Sequence, residues 1–142
     1  MKIQSYRMSK SGSLNNLKLI NEELPEIAPN EVCIEIKAIG LNFADVFTIL
    51  GLYKAAPKRN FIPGLEFSGT IIKKGNDVHD YQINDNIMGV IRFGSFTSHL
   101  NIDYRYVQKL PAGDKVSFRR SFIKPRLLTN LNNVLLFSIL YF

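Results

Sequence analysis

From Val32 onward the chain is broken into short apolar runs by turn residues, and helical spacing breaks in once before residue 113. Val32, Ile34, Ile36 and Ala38 alternate with Cys33, Glu35 and Lys37, the period-two pattern of a half-buried strand. Gly40 is expected to end it. Asn42 then stands as a helix N-cap with Asp45 three residues on, and Phe43, Val46, Phe47 and Leu50 keep helical spacing up to Gly51. Residues 54–60 read as a polar, basic loop. Pro63-Gly64 and Gly75-Asn76-Asp77 are turns flanking a strand at Phe67–Ile72. Further strands are expected at 87–91, 96–102 and 104–110, before Pro111. This pattern predicts a mainly β, barrel-like domain with one or two short helices.

The 142 residues suffice for one domain with a real core and are too few for two of ordinary size. A single cysteine, Cys33, excludes an intramolecular disulfide framework and a Cys-rich metal site, and its apolar surroundings predict a buried thiol. The net charge is +6, but residues 114–142 hold five basic residues against Asp114, a net of +4, which leaves +2 for the first 113. A nearly balanced body argues against nucleic-acid binding. Met1–Leu14 lacks the apolar core of a signal peptide, and the apolar run 134–142 is well short of a membrane span. A cytoplasmic protein is expected.

Several blocks carry a family resemblance: G-L-N-F-A-D with G-L-Y (40–45, 51–53), P-G-L-E-F-S-G (63–69), K-G-N-D-V (74–78), N-D-N-I-M-G-V (84–90), G-S-F-T-S-H-L (94–100) and the closing L-P (110–111). Together they resemble the N-terminal, GroES-like domain of the medium-chain dehydrogenase/reductase superfamily, in its zinc-independent quinone oxidoreductase branch. The resemblance covers about residues 1–113 and implies a partly open β-barrel. Residues 114–142 form an atypical basic, leucine-rich tail. In it Leu127, Leu128, Leu131, Leu135 and Ile139 keep roughly helical spacing, against helix-poor Asn130, Asn132 and Asn133. Relatives commonly continue after L-P with S-F-E-E-A, and one inserted A turns GAA-GAA into AGA-AGA. Arg119-Arg120 is therefore read as the start of out-of-frame translation.

The resemblance also implies a chemistry. Zinc alcohol dehydrogenases carry Cys and His ligands at the positions of Asn42 and Leu65, and a catalytic zinc needs three protein ligands, which Glu66 alone cannot replace. His79 and His99 lack partners at ligand spacing, so no metal is expected. NADPH passes hydride to a quinone, an enone or a related carbonyl in the resembling enzymes. By position, Asn42 would hydrogen-bond near the nicotinamide, and Tyr53 would line the substrate pocket and donate its hydroxyl to a carbonyl oxygen gaining charge. Asp45 would orient that cluster, with Phe47 and Leu65 along the pocket; relatives often carry Tyr at the position of Phe47.

Simpler readings stand beside these: Asn42 as a cap only, Asp45 as a first-turn acid favoured by the helix dipole, Tyr53 as a half-buried aromatic. Lys54, Lys58 and Arg59 read as a solvated loop, or as cations steering an anionic substrate. Glu22 and Glu23 are not expected to form an acid/base pair. None of the nine glycines falls in G-x-G-x-x-G spacing, so the dinucleotide seat is absent from this chain, and with it the domain through which relatives often dimerise. Without that seat the chain by itself is expected to be inactive. The alternatives are a non-catalytic GroES-like interaction module, or peripheral membrane association through the tail.

Overall fold

The computed structural model describes residues 1–110 and, as backbone, the strand 137–141. The strands are β1 (Lys2–Lys10), β2 (Leu17–Glu23), β3 (Glu31–Leu41), β4 (Arg59–Phe61), β5 (Glu66–Lys74), β6 (Asn86–Val90), β7 (His99–Asp103), β8 (Val107–Lys109) and β9 (Phe137–Tyr141). The α-helix among the described residues is α1 (Phe43–Ile49), and single 3-10 turns cover Leu14–Asn16 and Tyr104–Tyr106.

Two antiparallel sheets result, in the orders β2-β1-β4 and β7-β3-β5-β6-β8, with β9 pairing beside β7 on β3. They do not close into a barrel. A bridge between Ser5 and Thr97 joins them, flanked by bonds from Tyr6 N–H to the Phe96 carbonyl and from Ser98 N–H to the Gln4 carbonyl, both 2.8 Å. The mainly β content expected from the pattern is observed, and the sheets stay partly open as the resemblance implied.

β3 is the spine. Val32, Ile34, Ile36 and Ala38 are buried as the alternation requires, but Cys33 and Ile39 are buried as well. Bulges at Cys33/Ile34 and Ile36/Ala38 shift the register against β5 and let the strand turn residues of both parities inward. Phe67, Ile71 and Ile87 from β5 and β6 meet Met8, Val32 and Ile34 in the core, all fully excluded from solvent. Each such side chain stabilises the fold by about 1.5–3 kcal/mol. Burial raises the pKa of the Cys33 thiol.

Some boundaries differ from the sequence reading. β3 runs through Gly40 to Leu41. The basic loop ends early, because Arg59 and Asn60 enter β4 against β1. The strand expected at 96–102 starts at His99, since Thr97 bridges to the other sheet, and Tyr104–Tyr106 is a 3-10 turn capped by Asp103 rather than strand. Ile139 lies in β9, not in a helix. The rest of the leucine spacing, and the proposed frame change at Arg119, lie outside the described residues.

Candidate functional site

The chain leaves the sheet at Leu41 and enters α1 through Asn42, whose backbone is extended (φ −115°, ψ 160°). Asn42 occupies the N-cap position, and its backbone N–H donates to Asp45 Oδ2 at 2.8 Å, the return bond of a capping box. Asp45 has no solvent exposure. Burial raises its pKa from 3.8 to about 6; the N–H groups of Asn42 and Gly64 pull it down, and the Glu66 carboxylate pushes it up. The register pairing Gly40 with Glu66 puts Asn42 and Leu65 at the same end of the β3–β5 ladder.

The Pro63–Gly64 turn packs behind this carboxylate. Gly64 has φ +101°, and a Cβ there would lie 2.2 Å from Ser95 Oγ. Only glycine meets both demands. Around the turn and the buried face of α1, four polar atoms are buried without a hydrogen-bond partner: Asn42 Nδ2, Asp45 Oδ1, Thr48 Oγ1 and Ser95 Oγ. Each unmet group costs about 1–3 kcal/mol. All four lie around one helix and one turn, on the side of the fold that carries Asn42 and Asp45.

Past the helix, the N–H groups of Leu52 and Tyr53 both bond to the Phe47 carbonyl, at 2.8 and 3.2 Å. Tyr53 is 43% exposed, its ring edge-on to Phe93 at 6.5 Å between centroids, and Phe93 stands edge-on to Phe61 at 5.9 Å. Phe43, Phe47, Leu50 and Leu52 are also exposed. Leu65 is half-buried, with its carbonyl accepting from Ile91 N–H at 2.7 Å.

The structure thus joins Asn42 to Asp45 by a hydrogen bond and Phe47 to Tyr53 through a shared carbonyl. Tyr53 also lines a cleft of about 700 Å³ together with Lys10, Leu50 and Arg59, and that cleft does not include Asn42, Asp45, Phe47 or Leu65. Phe93 and Thr48 escaped the sequence reading. Phe93 sits in a loop and Thr48 within a helix, with no spacing that singles either out.

Among the described residues no group of three or more His, Cys, Asp or Glu is placed to hold a metal ion. His79 is exposed, and His99 Nδ1 lies 3.0 Å from Ser98 Oγ, with burial lowering its pKa. Glu22 and Glu23 go to different partners: Glu22 to Ser5 and Arg7, Glu23 to the amino terminus. No helix among the described residues is long and apolar enough to cross a membrane.

Residues 28–112 match the model of the alcohol dehydrogenase GroES-like domain. The chain belongs to that family. This GroES-like chain is similar to quinone oxidoreductase-like protein 2 of Bos taurus, at 29% identity over 123 residues, 86% of this chain and 35% of that protein. The crystal structure of human synaptic vesicle membrane protein VAT-1 homolog-like protein superposes with a TM-score of 0.77 at 30% identity, over 82% of this chain and 38% of that one. Escherichia coli quinone oxidoreductase complexed with NADPH superposes with a TM-score of 0.70 at 27% identity, over 80% of this chain and 35% of that one. The GroES-like chain therefore spans about a quarter to a third of the length of the curated relatives it matches.

Proposed function

We propose that residues 1–113 form the substrate-side domain of an NADPH-dependent, zinc-independent reductase that transfers hydride to a quinone or enone. The quinone oxidoreductase relatives support the reaction class, and the Escherichia coli relative complexed with NADPH supports the cofactor. The observation that carries the reading is the unmet amide donor of Asn42 at the mouth of α1. A rotation of that half-exposed side chain offers Nδ2 to a carbonyl or carboxamide oxygen, the acceptor type that both a nicotinamide and a quinone present.

When bound, NADPH supplies the hydride. Asn42 donates to the acceptor oxygen or to the nicotinamide carboxamide. Asp45 holds the Asn42 backbone in its extended entry to α1. The Tyr53 hydroxyl donates to the carbonyl oxygen that gains charge as hydride arrives, which lowers the barrier only where the donor is already oriented. Phe47 and Leu65 are apolar walls along the acceptor, and Phe47 brings no hydroxyl where relatives often have one. The described residues include no glycine-rich strand–turn–helix unit to seat a pyrophosphate.

The test is NADPH consumption with a small quinone. This chain alone should show none. In a quinone oxidoreductase relative, replacing the residues at the positions of Asn42 by Ala and Tyr53 by Phe should each lower kcat/KM by roughly a hundredfold to a thousandfold, the range for loss of an oriented donor. Unchanged kcat/KM in both would reject the roles given to these residues.

A further inference from the structure

The cleft beside Tyr53 is lined by four cationic side chains, Lys10, Lys54, Lys58 and Arg59, and by no acidic residue. None of the four forms an ion pair with a described carboxylate. Two are set against each other by the backbone, because Lys10 on β1 pairs directly with Arg59 on β4. Opposed residues of an antiparallel pair share a sheet face with Cβ atoms about 4.5–5.5 Å apart, and like charges there are destabilising. A sheet that only needed an edge strand gains nothing from that pairing.

The scaffold is well fixed. Ser11 N–H bonds to the Lys58 carbonyl at 3.1 Å and Gly12 N–H to the Ile49 carbonyl at 2.8 Å. These bonds clamp the β1–β2 turn onto the end of α1 and onto the basic loop. Gly51 (φ +74°) lies against Gly12, where a Cβ would come within 3.4 Å of the Gly12 nitrogen. On the remaining wall, Leu50 and Tyr53 give the cleft an apolar side.

We propose that this cleft binds a phosphate-bearing small molecule, with the phosphate among Lys10, Lys54, Lys58 and Arg59 and the adjoining organic part against Leu50 and Tyr53. Clustered lysines suit a multiply charged anion as point charges, and Arg59 adds a planar fork matched to phosphate oxygens. Where the hydride-transfer reading holds, the cleft adjoins the acceptor through Tyr53, and the acceptor it selects is one with a phosphorylated tail. The same chemistry could come from the phosphates of the nucleotide.

The test is titration of the isotope-labelled chain by amide NMR at low salt, with inorganic pyrophosphate, crotonyl-coenzyme A and NADPH in separate arms. Pyrophosphate should give saturable shifts concentrated at Ser11, Gly12, Gly51 and residues 53–59, weakening steeply as salt is added. Lys58→Glu and Lys10→Gln should each weaken binding about tenfold, whereas Lys73→Glu, outside the cleft, should leave it nearly unchanged. Saturation by crotonyl-coenzyme A with no response to NADPH assigns the phosphate to an acceptor tail; a response to both assigns a subsite shared with the nucleotide. No saturable shift, or equal weakening by Lys73→Glu and Lys58→Glu, would overturn the proposal. Pyrophosphate binding does not depend on hydride transfer, so the cleft can stand if quinone reduction fails, and the reverse.

Discussion

Asp45 should make the stability of this fold fall as the solution becomes less acidic, opposite to the usual effect of a carboxylate. Its carboxyl is wholly buried, and its pKa stands at about 6 in the folded chain against 3.8 for an ordinary aspartate. Below about pH 4 it is protonated in both states, and its contribution is fully present. As pH rises through 6 the folded chain must ionise a group held away from water, and that contribution is lost. A difference of about two pKa units at ~1.4 kcal/mol each gives a loss on the order of 3 kcal/mol. Asp45→Asn keeps an oxygen for the Asn42 N–H and removes the charge. Urea unfolding of both chains between about pH 3.5 and 7.5 isolates the effect. Glu22, Asp85 and Asp103, whose pKa values are lowered, weaken the fold at acid pH, but they cancel in the difference between the two chains. The stability of the parent relative to Asp45→Asn should drop by about 2–3 kcal/mol across that window and level off above about pH 7. A difference that stays constant with pH would refute the placement of this carboxyl.

Other substitutions probe the scaffold. Phe67→Ala, at a fully buried core position, should cost about 3–5 kcal/mol in chemical unfolding. Gly64→Ala meets both a left-handed backbone and Ser95 Oγ, whereas Gly94→Ala meets a left-handed backbone (φ +119°) with only the Ile91 side chain at 3.5 Å. The second should cost about 1–2 kcal/mol and the first clearly more; equal losses would show that the Ser95 contact is irrelevant. Tyr81→Phe removes a 2.6 Å bond from the hydroxyl to the Val107 carbonyl and should cost about 1 kcal/mol. One equivalent of zinc should leave the melting temperature unchanged, and a rise would reveal a ligand set that Asn42 and Leu65 do not provide.

Much of this was legible in the residues themselves. The alternation from Val32, the Asn42–Asp45 cap and the Pro63-Gly64 turn act over a few residues, and local patterns record local causes. The Lys10–Arg59 opposition was not legible, because the two residues are 49 positions apart and meet only through the β1–β4 pairing. Arg59 read as loop for the same reason: nothing nearby announces a three-residue strand whose partner lies near the N-terminus. Likewise the burial of Cys33 and Ile39 depends on bulges set by β5, and an alternating pattern carries no mark of them. At the candidate site, the sequence supplied Asn42, Asp45, Phe47, Tyr53 and Leu65 through the family resemblance. The unmet polar atoms of Thr48 and Ser95 become visible only when α1 is set down on the Gly64 turn.

The roles given to Asn42 and Tyr53 are tested most directly by titrating the labelled chain with tetramethyl-1,4-benzoquinone, whose blocked ring positions avoid addition to Cys33. Amide shifts should saturate together at Asn42, Asp45, Phe47, Tyr53 and Leu65, and Asn42→Ala should weaken binding. Saturable shifts confined to another face, such as the Lys2, Gln4 and Glu22 cleft between β1 and β2, or no saturable shifts at all, would contradict a quinone-accepting wall at the mouth of α1.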